Sequence, residues 1–256
     1  MSVGWGTQRK ILYISVSVIV ISVALVASYL FFFNTAPTCF DGRQDGTETG
    51  VDCGGSCARI CANQAHDPIV LWSRAFPVAS STDGGTLYTA AAYVENANVG
   101  GGAKSVQYSF QFFDANNSLI LEHSGVTDLP PVQTIPIVET GIDTGKRTVA
   151  RTLFSFSQTP TWNIVPAQDL PALSLADETL APDGTRLSAT VTNNSLIPVT
   201  NLTAVAVLFD AHDVAIAASK SLITSLASHA SQTVVFTWPQ SAPSVTHAEI
   251  TLLPSF

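Results

Sequence analysis

The chain has 256 residues, only 12% of them charged, and a formal net charge of −8 at neutral pH. That balance argues against a nucleic-acid partner, because phosphate binding needs a basic surface. Abundant Ser, Thr, Ala and Val with little Lys is the composition of a β-rich exported protein rather than a cytosolic enzyme, with chain enough for one large or two ordinary domains.

The first element in chain order is the uncharged run Ile11–Phe33, ILYISVSVIVISVALVASYLFFF. As a helix it rises about 34 Å at roughly 1.5 Å per residue, enough to cross a hydrocarbon core of about 30 Å. Arg9 and Lys10 precede it, and no Lys or Arg follows until Arg43. This asymmetry predicts residues 1–10 in the cytoplasm and everything after the helix outside the cell membrane. Trp5 flanks the inner end, and Tyr29 and Phe31–Phe33 cluster at the outer end, as aromatic residues do at bilayer interfaces. A cleaved signal peptide has an apolar core of about 7–15 residues. This run is longer, and the small residues around Ala36 make a weak cleavage site. The segment reads as an uncleaved signal anchor whose partner is the lipid bilayer.

Residues 34–66 hold all the cysteines, Cys39, Cys53, Cys57 and Cys61, in CFDGRQDGTETGVDCGGSCARIC. They lie just outside the predicted membrane segment, where thiols oxidise. Disulfides are expected, with three possible pairings left open. They would order a segment with almost no core by restricting its unfolded chain. The cysteine spacings do not form the paired C-x2-C knuckles of most zinc sites. Four carboxylates, Asp41, Asp45, Glu48 and Asp52, alternate with Gly42, Gly46 and Gly50. Carboxylates on a turning backbone are calcium ligands in principle, although their order is not that of an EF-hand. The competing reading is a solvated acidic turn. The run resembles a short cysteine module of secreted proteins with the form C-x-DG-x-x-NG-x-E-x-x-x-DCGG-x-C-x-x-C. Cys39, Asp41–Gly42, Asp45–Gly46, Glu48 and Asp52–Gly55 carry the match. Asp45 replaces the usual Asn, and Cys57 to Cys61 is one residue longer.

From about Asp67 the pattern has period two. In Lys104–Asp114, Val106, Tyr108, Phe110 and Phe112 alternate with polar residues, the mark of a half-buried strand. Further strands are predicted at Ile69–Ser73, Thr86–Glu95, Leu119–His123, Thr134–Glu139 and Thr148–Phe156. Turns at Asp83-Gly84-Gly85, Asn98–Gly102 and Asp114–Asn117 separate them. Gly100–Gly102 reads as a flexible hairpin tip. Short strands without intervening helices predict a sandwich.

The second half repeats the first. Tyr93–Asn96 aligns with Thr190–Asn193, Phe112–Ala115 with Leu208–Ala211, and Leu129 with Leu226, at offsets of 96 or 97 residues. This predicts two copies of one domain, 67–165 and 171–256, joined by a semi-rigid Pro-bracketed linker, 166–170. FQFFDANN (Phe110–Asn117) and AVLFDAHD (Ala206–Asp213) resemble the F-x-L-Y-D strand of the FxLYD-type domain, a bacterial extracellular immunoglobulin-like sandwich. Val94–Asn96, Val191–Asn193 and the strand at Thr233–Pro239 fit as well. Phe113 and Phe209 stand for the motif's Tyr, and Ala206 for its Phe. The resemblance implies a membrane-anchored envelope protein with an attachment or assembly role and no defined ligand.

The residues themselves assign Asp114 and Asp210 to the turns after those strands, where Asx side chains accept from backbone amides. In the second copy both faces of one strand are apolar. Val205, Val207 and Phe209 lie opposite Leu202, Ala204, Ala206 and Leu208, so one of the two faces must be covered by the first domain or a partner. Trp72, Trp162 and Trp238 are expected in the cores. His66, His123, His212, His229 and His247 form no metal pairing, and no G-x-S-x-G occurs. Asn116, Asn193 and Asn201 each open an N-x-[ST] sequon.

The fold class expected is an all-β ectodomain, two tandem immunoglobulin-like β-sandwiches after one transmembrane helix and a small disulfide-rich loop. The function expected is non-enzymatic, without cofactor: adhesion, scaffolding or docking to a protein partner in the cell envelope. The alternative is a calcium-dependent sensor or ligand-binding ectodomain. An adhesive sandwich should present no pocket in which two or more polar groups converge.

Overall fold

The computed structural model describes residues 4–33, 38–80, 84–132, 134–242 and 244–256, without the side chains of 31–33. Ala36, Asp83 and the aromatic side chains of Phe31–Phe33 lie outside the described residues. The chain divides into two compact units, Met1–Cys57 and Ala58–Phe256.

In the first unit, α1 spans Trp5–Phe33. Its stretch Trp5–Leu30 has a mean hydropathy of 2.5 and no buried residue, so it is long and apolar enough to cross a membrane. The helix starts before the expected Ile11. Gly4 supplies the carbonyl for the amides of Thr7 and Gln8, and the Arg9 guanidinium sits 4.0 Å from the Trp5 ring centroid, one turn away. The basic flank is thus helical. Beyond the helix, Cys39 and Cys57 form a disulfide. Cys53 and Cys61 are oxidised too, and no described cysteine is free.

The second unit is all-β apart from one 3-10 turn, Ala167–Asp169. Its first six strands are β1 (Ile69–Ser80), β2 (Thr86–Glu95), β3 (Gly101–Phe113), β4 (Leu119–Leu129), β5 (Thr134–Asp143) and β6 (Arg151–Phe156). They form antiparallel sheets ordered β1-β2-β5 and β4-β3-β6. A short β7 (Asn163–Ile164) adds to the start of β3. The remaining strands are β8 (Leu173–Leu180), β9 (Arg186–Asn193), β10 (Val199–Phe209), β11 (Ala215–Leu226), β12 (Ser231–Thr237) and β13 (His247–Leu253), in sheets β12-β9-β8 and β11-β10-β13. The second set pairs its strands in the same order as the first.

Each pair of sheets closes on its own core. Phe110, Phe112, Leu129, Ile135 and Trp162 lie in the first, and Leu187, Leu202, Leu208, Phe236 and Trp238 in the second. Burying each large side chain contributes about 1.5–3 kcal/mol. From Val106 to Phe112 the even residues of β3 point inward as the alternation requires. Ser109 is the exception: it is buried and donates to Glu122 Oε1 at 2.6 Å. Trp162 and Trp238 fill the cores as expected. Trp72 does not; it is half-buried and stacks on Tyr93 with centroids 4.6 Å apart.

Two details differ from the sequence reading. Gly101 and Gly102 are buried strand residues rather than a flexible tip. A Cβ on Gly102 would come within 2.5 Å of the Phe256 ring, so the site needs glycine for close approach, not mobility. The compact unit also begins before residue 67. Ile60 N–H donates to Trp162 O at 2.9 Å and Ile164 N–H to Ala58 O at 2.7 Å, while Ile60 and Ala65 pack on the first core.

Candidate functional site

The apolar pattern of β10 has to satisfy two surfaces. Leu202, Ala204, Ala206 and Leu208 enter the second core. The opposite face, Val205, Val207 and Phe209, packs on Phe76, Tyr93 and Val138 of the first sheet pair in a third buried cluster. The first sheet pair therefore covers that face. Polar ties frame the cluster: the Tyr93 hydroxyl lies 3.1 Å from Glu249 Oε2, and Arg74 Nη1 is 3.5 Å from Ala215 O. Burial first, and then Glu249, push the Tyr93 phenol far above its ordinary value.

Beside this junction opens a cleft of about 560 Å3 with Tyr108, Glu139 and Lys220 among its lining. These residues come from β3, β5 and β11. The Tyr108 hydroxyl donates to Glu139 Oε1. Lys220 Nζ donates to Val138 O at 2.7 Å and stands 3.5 Å from Glu139 Oε2. His123 Nε2, on β4, is 3.8 Å from the same oxygen. Burial raises the Tyr108 phenol well above its usual range, and the Glu139 hydrogen bond and charge add to it. Since β5 is an edge strand, Lys220 also caps one of its edge carbonyls, which blunts strand addition there. An ion pair as exposed as Lys220–Glu139 contributes about 0–1 kcal/mol. The apolar cluster, at about 1.5–3 kcal/mol per large side chain, dominates the junction.

This cleft is a pocket in which polar groups converge, which the sequence led us not to expect. Its polar groups largely satisfy one another: Glu139 accepts from Tyr108, and Lys220 donates to a backbone carbonyl.

No family model matches the chain, and no curated protein does. Among solved structures, the crystal structure of red sea bream transglutaminase is similar over 75% of this chain and 30% of that one, at 11% identity and a TM-score of 0.22. So distant a likeness carries no argument about fold or activity.

In the first unit, the four predicted calcium ligands fall into distinct roles. Asp52 Oδ1 accepts from the Asp41 and Gly42 amides at 2.9 and 3.1 Å. Glu48 Oε2 accepts from Asp45 and Asp52 amides at 3.4 and 3.2 Å, and Asp41 Oδ1 from Arg43 at 2.9 Å. These three carboxylates brace turns. Glu48 Oε1 lies 3.1 Å from Cys57 Sγ, which carries no proton because it is in the disulfide. Cys39, Glu48 and Cys57 come close together, but the disulfide sulfurs are not thiolate ligands. Asp45 stands apart: its Oδ1 is shielded and has no hydrogen-bond partner. Desolvation, then the charges of Asp41 and Glu48, raise its carboxyl above the ordinary value.

The motif aspartates sit where the sequence assigns them. Asp114 Oδ1 accepts from Asn116 and Ser118 amides, both at 2.9 Å, and Asp210 Oδ1 from His212 and Val214 at 2.8 and 3.0 Å. Asp114 also pairs with Arg147 at 2.6 Å. That hydrogen bond, with the amides, holds its carboxyl below the ordinary range; the His212 and Val214 amides do the same for Asp210.

Sequence reasoning noted Asn96 as a motif position and Asn193 as a motif position and sequon, without a structural role. Both are buried. Asn193 Nδ2 donates to Ile197 O, Leu226 O and Ala227 O at 2.9, 3.2 and 3.1 Å, and its Oδ1 accepts from Ser195 N–H at 2.9 Å. Asn96 Nδ2 donates to Gly101 O at 2.9 Å and more weakly to Pro130 O at 3.4 Å, and its Oδ1 accepts from Asn98 N–H at 2.9 Å. Burial closes the Asn193 sequon to glycosylation.

Proposed function

We propose that this chain is a single-pass membrane protein with a cytoplasmic N-terminus. It displays two immunoglobulin-like, FxLYD-type sandwiches outside the cell for non-enzymatic docking or scaffolding in an envelope complex. The observation that carries this reading is the third buried cluster, which joins two sheet pairs of the same strand order into one compact unit, 58–256. A joined pair presents partner-binding surfaces in fixed relative positions, so less ordering entropy is lost on binding. The mutual satisfaction of Tyr108, Glu139 and Lys220 supports a structural rather than catalytic use of the cleft. The short cysteine module fits a spacer between anchor and sandwiches.

The test is crosslinking in intact source cells with the full chain and with a variant lacking 67–256. A protein partner captured by the full chain alone is expected. Identical crosslinked sets from the two would overturn the reading.

A second reading, cation binding by the acidic module, is favoured by the unpartnered Asp45 oxygen beside Asp41 and Glu48. Calorimetric titration of the oxidised full chain with calcium should then give saturable heat that Asp45→Asn abolishes. A flat titration at about 1 mM, the range of extracellular calcium modules, removes this reading.

A further inference from the structure

We infer that the pocket between the β1 and β6 edges is an oxyanion site, with Arg74 and Arg151 as its binding side chains; this stands independently of the docking reading. The pocket measures about 390 Å3 and is lined by both arginines together with Phe76, Thr152 and Ala215. The chain as a whole is acidic, with 11 Lys and Arg against 19 Asp and Glu. Two arginines among the lining residues are therefore a local reversal of charge.

Neither arginine belongs to an ion pair among the described residues. Arg147, close by in sequence, does: Asp114 neutralises it at 2.6 Å. The Asp210 charge also acts on Arg74, but the Asp210 carboxylate is engaged first by the His212 and Val214 amides.

Each guanidinium is held from one side only. Arg151 lies over the Phe113 ring, 4.8 Å from its centroid. Arg74 reaches Ala215 O at 3.5 Å, the long limit for a hydrogen bond. A guanidinium carries five N–H donors, so most remain to be used. Between the two strands, Ser73 Oγ donates to Thr152 O at 2.9 Å. That tie sits next to both arginines in sequence and fixes β1 against β6 where they emerge. Arginines with unused donors on one pocket suit a carboxylate or phosphate group, which a guanidinium binds by two parallel N–H···O contacts.

The test uses the full chain in zwitterionic nanodiscs, so that lipid contributes no net anionic charge, with arginine side-chain nitrogens followed by NMR. The probes are inorganic phosphate and acetate, titrated separately. Saturable shifts of the Arg74 and Arg151 signals are expected with at least one probe. Arg74→Ala and Arg151→Ala should each weaken binding about tenfold or more, as loss of a bidentate charged contact does. Arg186→Ala, on β9, serves as a control and should change nothing. Arg74→Lys and Arg151→Lys keep the charge and cover the case of an alanine variant that fails to fold; they should bind more weakly than wild type. Saturation by phosphate alone assigns a phosphate ligand, and saturation by acetate alone a carboxylate. No saturable shift with either probe, or saturation that survives both substitutions unchanged, overturns the proposal.

Discussion

Val207→Asp should destabilise the 58–256 unit by about 3–5 kcal/mol, the cost of an uncompensated buried charge. Val207 is fully buried in the third cluster, on the β10 face that meets the first sheet pair. The buried residues of the cluster are all apolar, so little there offsets the carboxylate's desolvation. The first and second cores lie on the far sides of their sheets and keep their packing. We therefore expect the damage to concentrate at the junction. In denaturant, a single unfolding transition should separate into two, one per sheet pair, with the earlier one at lower denaturant than wild type. Leu222→Asp, on exposed β11 surface, should stay within about 0.5 kcal/mol of wild type. A Val207→Asp chain with the wild-type midpoint and one transition would show that the cluster does not join the pairs.

Asn193→Ala should cost about 3 kcal/mol, from buried carbonyls stranded at about 1–3 kcal/mol each with some recovery by water. The side chain is fully buried and ties the β9–β10 turn to the end of β11 through Ile197, Leu226 and Ala227. Asn193→Asp is the more informative variant. It keeps the acceptor for Ser195 but replaces an amide donor with a carboxylate facing three carbonyl oxygens. At neutral pH it should be less stable than Asn193→Ala, although it is closer in shape. Equilibrium denaturation of both variants, with Asn194→Ala as an exposed neighbour, reads the difference. If Asn193→Asp equals wild type, the hydrogen bonds do not carry the turn.

Much of the architecture was legible along the chain because it rests on local periodicity. The apolar run announces α1, and β2 spans Thr86–Glu95 as the sequence predicts. Asp114 and Asp210 cap their turns as Asx chemistry predicts. Legibility failed at glycines inside strands. β4 continues past His123 to Leu129 through Gly125, where a Cβ would sit 2.4 Å from the Tyr108 hydroxyl. A residue that looks like a strand break locally is required by a neighbouring ring. Gly102 is the same case against the Phe256 ring, and at Gly101 the crowding comes from Asn98.

By itself, then, the sequence determined the membrane-length helix, the all-β character of the chain beyond the cysteine module and the two-faced apolar pattern of β10, because each is written in residues a few positions apart. Only the tertiary structure decided what covers Val205, Val207 and Phe209, and which polar groups meet. Val138 and Lys220 are 82 residues apart, Arg74 and Ala215 141, and Tyr93 and Glu249 156. No periodicity records such separations. They become contacts only when two sheet pairs bury a shared apolar face and carry the side chains around it into reach.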